Sequence, residues 1–487
     1  MDTDQQATTA FQAIQADLQH HRSLEAGAKS IEYLKYHRIS SPGWLHLGEA
    51  YLQQRKGKAA LLALMRAWLL DPEAKWPGAM LSSAQQAPEG EVSTELMDIL
   101  QVQKVSIAAA ILVKDEARSI LRCLYSIKDA VDEIIVIDTG STDGTIDLVE
   151  NFPHPHLKLI HHEWREDFAD ARNAGLAVVE SDWVLWLDAD EYLHEEDIEV
   201  VREAAGLFST PDVPVILRPV IINLLPENQT FISYDTSRMF PTRAGMRFWG
   251  RIHEQIGGGT EKERFQRPAV RIRIYHDGYL PDVVAQKGKQ ARNLRLLAKM
   301  VEDEPDTPAS WLFYGRETLL TGDVLTGIER LTKAYEIGKR HPEFARLTEI
   351  ITWLIQAYIK QNNIPKAEDA CQELLAIQPD YPDAWYYQAY LRALRIQAEI
   401  QAMDLDLKHM EAAFAGYRGI VSPDSLIKDW KATLLKADLA RFAGNLAYAQ
   451  AQYLEVYQRH PEFGGVRKQL EMIEQQRLQL RSLFHPN

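Results

Sequence analysis

A chain of 487 residues is longer than one hydrophobic core serves, so two to four domains are expected. Hydrophobic residues make up 46% and charged residues 25%, the balance of an ordinary globular protein, and no apolar stretch reaches the roughly 20 residues that span a bilayer. The formal net charge of -15 argues against general nucleic-acid binding, and an anionic substrate would need a local cation or basic patch.

The opening Met1-Asp2-Thr3-Asp4-Gln5-Gln6 has neither the basic flank nor the apolar segment of a secretion signal. Cys123 and Cys371 are the only cysteines and fall in predicted helices of different domains. They read as small buried apolar residues, and a reducing cytoplasm is expected. The chain to about Gln101 reads helical. Within it Trp44-Leu45-His46-Leu47-Gly48, Tyr51, Ala60, Leu64, Ala67 and Pro72 follow the offsets of a tetratricopeptide repeat. Small residues let two helices approach, large ones fill the groove, and Pro ends the second helix.

From about Lys104 the period changes. Val105 to Val113 is apolar on both faces, as a central strand of a covered sheet should be. Ile120, Leu121, Leu124 and Ile127 then share one helix face. Ile134-Ile135-Val136-Ile137 forms a second strand, ended by the turn-rich run Asp138 to Thr145. A third strand is predicted at Leu157–Ile160, a helix from about Asp167 to Val179, and a fourth strand at Trp183–Leu187. This alternation predicts a mostly parallel, Rossmann-like α/β sheet that binds ligands beyond the carboxyl ends of its strands. Asp115, Asp138 and Asp188 fall at those ends. Asp188-Ala189-Asp190 sets two carboxylates one residue apart at a strand's mouth, which suits an oxygen-loving divalent cation able to bridge a diphosphate.

After about His276 the chain is helical again, with further repeat-like sets. These are Trp311, Tyr314, Gly315, Leu331 and Ala334; then Leu354, Tyr358, Ala367 and Pro379; then Ala437, Ala449, Tyr453 and Pro461. Trp385 is expected to open another, degenerate unit. The predicted domains are a helical region at 1–101, a sheet domain at 102–290 and helical repeats at 291–487.

The middle region resembles family 2 glycosyltransferases of the GT-A fold. The resemblance rests on Val113-Lys114-Asp115-Glu116, Ile137 to Thr145, Ala171-Arg172-Asn173 and Leu187-Asp188-Ala189-Asp190-Glu191, in that order. With the flanking repeats it is similar to the subgroup that joins this domain to tetratricopeptide repeats. That subgroup carries a later segment like Gly250-Arg251-Ile252-His253-Glu254, and Tyr275-His276-Asp277-Gly278-Tyr279 resembles another. Many members have two successive aspartates after the second strand, where this chain has Asp138-Thr139, so the nucleotide stays open.

The resemblance implies a metal-dependent, inverting transfer of a sugar from a nucleotide-diphosphate donor, a UDP- or GDP-sugar, to a protein, peptide or saccharide acceptor. Asp115, Asp138, Gly140, Arg172 and Asp188 are expected at the donor. Asp138 also reads as a turn and helix-capping residue, and Arg172 also as a surface ion pair. Asp190 is the leading ligand for Mg²⁺ or Mn²⁺, with Asp188, His253 and His276 as further candidates. Glu254 is the candidate general base, set against a solvated acidic residue. His253-Glu254 does not extend to a His-Glu-x-x-His zinc motif. Arg238, Arg243, Arg247, Arg251, Arg264, Arg267, Arg271 and Arg273 read either as a basic patch for a diphosphate or, for Arg271 and Arg273, as the wet face of a strand. The alternatives are an inactive domain within a repeat scaffold, or a nucleotidyltransferase. Self-association through the helical repeats is a further expectation.

Overall fold

The computed structural model describes residues 3–209, 215–257, 265–278, 289–342 and 344–484, so Arg264 and Tyr279 lie outside the described residues. The chain forms two compact units, Met1–Glu317 and Thr318–Asn487. Among the described residues no helix is long and apolar enough to cross a membrane.

The first unit begins with helices α1 (Thr3–Gln19), α2 (Ser23–Tyr36), α3 (Ser41–Gln53), α4 (Gly57–Leu70), α5 (Pro77–Gln86) and α6 (Thr94–Leu100). The Ser40 hydroxyl accepts from the Gly43 N–H and caps α3, with Pro42 in its first turn. Arg55 takes a left-handed backbone (φ 58°), and the Lys56 N–H closes onto the Tyr51 carbonyl at 2.9 Å, which ends the helix and turns the chain back. Trp44, Leu47, Tyr51, Ala60, Leu64 and Ala67 all enter one core, as the repeat spacing requires. A Cβ on Gly48 would lie 2.6 Å from Leu64 Cδ2, which explains the glycine.

The sheet follows. Its first strands and helices are β1 (Ile107–Val113), α7 (Ile120–Ile127), β2 (Glu133–Asp138), α8 (Thr145–Glu150), β3 (Leu157–His161), α9 (Phe168–Leu176) and β4 (Trp183–Asp188). After β5 (Glu191–Leu193) and α10 (Ile198–Leu207) come β6 (Arg218–Leu224), β7 (Thr230–Ser233), β8 (Met239–Pro241), β9 (Arg247–Trp249), β10 (Gln255–Gly257) and β11 (Ala269–His276). The main sheet has the order β3-β2-β1-β4-β8, parallel except for β8. Central β1 sends Ile107, Ala109 and Ile111 into one core, and Ala108 and Ala110 into the other. This is the mostly parallel α/β sheet that the alternating pattern predicts. On α7 the buried face uses Cys123 with Ile120, Leu124 and Ile127, while Leu121 is only partly buried. A second sheet, β5-β11-β6-β7, and the β9–β10 hairpin complete this part.

Neither sequence reading of Arg271 and Arg273 survives. Both bind the fully buried Asp197, Arg271 through Nη1 at 3.0 Å and Arg273 through Nε at 2.9 Å. Trp68 of α4 packs against both guanidiniums, at 4.4 and 5.8 Å. Leu69 of the same helix enters the sheet's own core. The N-terminal repeat is therefore fastened to β11, whose last residue is His276.

Helix α11 (Lys289–Asp303) follows, and α12 (Pro308–Leu320) runs to the end of the first unit and into the second. The second unit continues with α13 (Val324–Gly338), α14 (Leu347–Lys360), α15 (Ile364–Ile377), α16 (Pro382–Gly416), α17 (Ala432–Phe442), α18 (Leu446–Arg459) and α19 (Gly464–Phe484). The turn device recurs, with left-handed Gly322, Asn362 and Gly444 between paired helices. Trp44, Trp311 and Trp385 each donate from Nε1 to the carbonyl six residues earlier, at 2.7, 2.8 and 2.8 Å. Trp385 thus does mark a repeat-like start. Its helix does not fold back, however, and runs 35 residues, because Asp383–Ala415 contains no glycine or proline to stop it.

Gly48→Ala should destabilise the first unit by about 1–3 kcal/mol through overpacking against Leu64. Gly78→Ala, where a new Cβ meets nothing within 4 Å, is the control and should be neutral or mildly stabilising. Thermal and denaturant melts of the two variants give the comparison.

Candidate active site

Register brings the expected residues to one rim. In the main sheet Val113 pairs with Asp138 and Leu112 with Asp188, so the carboxyl ends of β1, β2 and β4 lie side by side. Asp115, just beyond β1, has a left-handed backbone (φ 53°). Its Oδ1 accepts from the Thr142 N–H at 2.7 Å, and its own N–H donates to Ser141 Oγ at 2.9 Å. Asp138 is buried and accepts from the N–H groups of Gly140 and Ser141 at 3.0 and 3.1 Å. Its carboxylate thereby organises the turn, as the capping reading expects. Gly140 needs its glycine for conformation (φ 99°), since a Cβ there would meet nothing. His161 lies 3.6 Å from Asp138, and His162 Nε2 is 2.9 Å from Asp170.

Asp188 ends β4 between two guanidiniums. Arg172 Nη2 donates to Oδ1 at 2.9 Å and Arg238 Nη2 to Oδ2 at 2.8 Å. Arg238 Nη2 also reaches Glu191 Oε1 at 2.8 Å, and Glu191 Oε2 accepts the Asp188 N–H at 2.8 Å. Arg172, buried on α9, donates from Nε to Glu254 Oε1 at 2.5 Å. Its guanidinium lies against the rings of Trp186 and Phe248. The result is an alternating row, Glu191–Arg238–Asp188–Arg172–Glu254. Arg172 is therefore no surface ion pair.

The charges share unevenly. Desolvation works against the Asp188 carboxylate, but Arg238 and Arg172 outweigh it and hold it well below the usual range. Burial pushes Glu191 up to about 8, opposed by Arg238 and reinforced by the charge on Asp188. Two carboxylates share one guanidinium, and Asp188, with a second arginine of its own, keeps the negative charge.

Asp190 and His276 also meet, because β5 runs antiparallel to β11 with Glu191 opposite His276. His276 Nε2 is 3.7 Å from Asp190 Oδ1, while Nδ1 lies 2.9 Å from Asn223 Oδ1. With Nδ1 donating to Asn223, the Nε2 lone pair is directed toward Asp190. Such an oxygen-plus-imidazole pair suits Mn²⁺ better than Mg²⁺. Among the described residues no group of three or more His, Cys, Asp or Glu side chains is arranged to hold a metal. His253, expected as a ligand, turns instead to α12, with Nε2 3.5 Å from Glu317 and its ring 4.8 Å from Phe313.

Sequence reasoning gave no role to Glu191, Asn223, Arg118 or Arg122, and noted Arg238 only within a basic cluster. Their partners are remote in the chain; Arg118 and Asp277 are 159 residues apart. Arg118 grips Asp277 through two bonds, 2.8 and 3.0 Å, and Arg122 adds a third at 2.7 Å. Burial raises the Asp277 carboxyl, but these bonds outweigh it and bring it down to about 2 from 3.8. A depressed carboxyl stabilises the fold above its unfolded value, and that contribution is lost as pH falls from about 4 toward 2. Asp277→Asn should therefore cost about 1–2 kcal/mol at pH 7, with the gap to the parent closing toward pH 2. Melting curves of both proteins across that range measure it.

Residues 109–213 match the family model described as glycosyl transferase family 2. The chain is 28% identical over 302 residues to the SPbeta prophage-derived glycosyltransferase SunS of Bacillus subtilis strain 168, a match covering 61% of this chain and 69% of that protein. It is 31% identical over 276 residues to a TPR repeat-containing protein of Synechococcus elongatus, covering 55% and 66%. Among solved structures, TarS of S. aureus overlaps 54% of each chain at 13% identity and a TM-score of 0.33, too slight a likeness to bear on ligands or residue roles. The family match, the curated relatives and the sheet agree: this chain carries a glycosyltransferase family 2 domain joined to a helical region.

Proposed function

We propose that the chain is a metal-dependent, inverting glycosyltransferase that moves a sugar from a nucleoside-diphosphate donor, a UDP- or GDP-sugar, to an acceptor hydroxyl. One observation carries the reading. Arg172 joins Glu254 to Asp188 at 2.5 and 2.9 Å, so a base candidate stands on the same rim as Asp188-Ala189-Asp190.

Asp190 and His276 are the residues suited to hold Mn²⁺, or Mg²⁺ less well, and the ion would neutralise the departing diphosphate. Asp115, Asp138 and Gly140 form the turn expected to receive the nucleoside. Asp188, held between two arginines, orders the rim and keeps an exposed edge for the donor, its side chain being 39% accessible. Arg172 Nη1 is buried and has no hydrogen-bond partner among the described residues, and Arg172 is read as serving the donor through its hold on Asp188. Glu254 accepts the acceptor hydroxyl's proton as that oxygen attacks the anomeric carbon and the diphosphate leaves. A single displacement of this kind inverts the anomeric centre.

We read the chain as a helical region at 1–101, a sheet domain at 102–290 and helical repeats at 291–487, the last beginning inside the first compact unit. The flanking helical repeats are read as the parts that take a protein, peptide or saccharide acceptor, or a second copy of the chain. With both cysteines buried in separate helices, a reducing, cytoplasmic setting fits the reading.

Hydrolysis of UDP- and GDP-sugars with and without Mn²⁺ tests it. Asp190→Ala should abolish metal-dependent turnover and the rise in melting temperature on adding Mn²⁺, while leaving the metal-free melt unchanged. Full activity in that variant would remove the metal role. Glu254→Gln should lower kcat about 10²–10⁴-fold. Asn223→Ala, which frees the His276 ring, should raise the Mn²⁺ needed for half-activation about 10–100-fold.

A further inference from the structure

The segment that carries Glu254 is a hairpin loop closed by the Trp249–Gln255 pair. It joins β9 to β10, and two of its residues, Gly250 and His253, have left-handed backbones (φ 89° and 52°). Arg251 pairs with Asp303 and His253 faces Glu317, and the remaining grip comes from α9. Asn173 Nδ2 donates to the Phe248 carbonyl at 2.8 Å, and the Phe248 N–H returns a bond to Asn173 Oδ1 at 2.8 Å. The Phe168 N–H at the start of α9 donates to the Arg251 carbonyl at 2.9 Å. Arg172, next to Asn173, completes the set by binding the Glu254 carboxylate itself.

The reciprocal pair at Asn173 fixes the incoming strand as a backbone partner would, and a side-chain amide is well suited to it because it both donates and accepts. Arg172 then sets the carboxylate at the far end of the same segment. Its own orientation is fixed by Asp188 and by the rings of Trp186 and Phe248. One edge of α9 therefore holds both ends of the Glu254 segment, and the same guanidinium refers Glu254 to the residue at the mouth of β4.

We propose that Arg172 and Asn173 are positioning residues for Glu254, with Asn173 anchoring the hairpin and Arg172 aiming the carboxylate. This rests on the reading of Glu254 as the base. Asn173 is the sharper probe, because it is uncharged and bonds to neither Asp188 nor Asp190. A misplacement of a reacting group by about 1 Å lowers a rate about 10²-fold without weakening substrate binding.

The test uses the full chain, Mn²⁺, and UDP-N-acetylglucosamine and GDP-mannose as hydrolysis probes. Asn173→Ala is expected to lower kcat about 10–10²-fold, with the donor KM and the Mn²⁺ requirement within about threefold of the parent. In a Glu254→Gln background it should cause no further loss, since the two act through one group. Arg172→Lys, which keeps the charge and loses the two-ended geometry, should show the same kcat loss and the same non-additivity in kcat, together with a higher donor KM because it also loosens Asp188, and it serves where Asn173→Ala melts below the assay temperature. Parental kcat in both variants, a loss confined to KM, or losses that multiply with Glu254→Gln would each overturn the proposal. Should Glu254→Gln itself turn over at the parental rate, the base reading fails first. An inactive Glu254→Gln beside fully active Asn173→Ala and Arg172→Lys would sink the positioning role alone.

Discussion

Five ionisable side chains in a row, Glu191, Arg238, Asp188, Arg172 and Glu254, hold the site together, with Glu191 favouring its neutral form. Each inner member is bonded on both sides, and both arginines are almost fully enclosed. Charges so placed are stable only in company, because deleting one leaves its neighbours desolvated and uncompensated. The row therefore behaves as a unit. It ties the mouth of β4, already paired with β8 in the sheet, to α9 and to the β9–β10 hairpin.

The sheet supplies the frame on which such a row can be exact to fractions of an ångström. Parallel pairing of β1 with β2 and β4 aligns three strand ends, and chain direction alone then groups Asp115, Asp138 and Asp188. The second sheet works differently. Its antiparallel β5–β11 contact brings Asp190 beside His276. The β11 strand is braced from behind by Asp197 and by Trp68, a residue of the N-terminal repeat. The helical region at the start of the chain thus contributes to the enzyme's framework, in addition to any role in taking up an acceptor.

Two kinds of difference from the sequence reading are instructive. Arg271 and Arg273 look like alternating solvent-facing residues, because a strand pattern gives no sign that a helix from 200 residues earlier covers that face. Asp197 and Trp68 make the pattern an inward one. His253 stands beside Glu254 in the chain, but a left-handed backbone at that position sends its side chain toward α12, away from the Asp190–His276 pair. Neighbours in sequence need not be neighbours in a site where the backbone changes hand between them.

The sequence by itself determined the strand and helix order, the repeat helices with Trp44, Gly48 and Leu64 at their contacts, and the rim to which the aspartates belong. These follow from local periodicity and from the geometry of parallel strands, both of which are written in short windows of the chain. Only the tertiary structure decided which carboxylate meets which cation. Arg238, Asn223, Arg118 and Trp68 have partners between 47 and 205 residues away, and their pairing depends on how the two sheets and the hairpin close on one another. No local pattern encodes that closure, because it is fixed by the packing of whole layers.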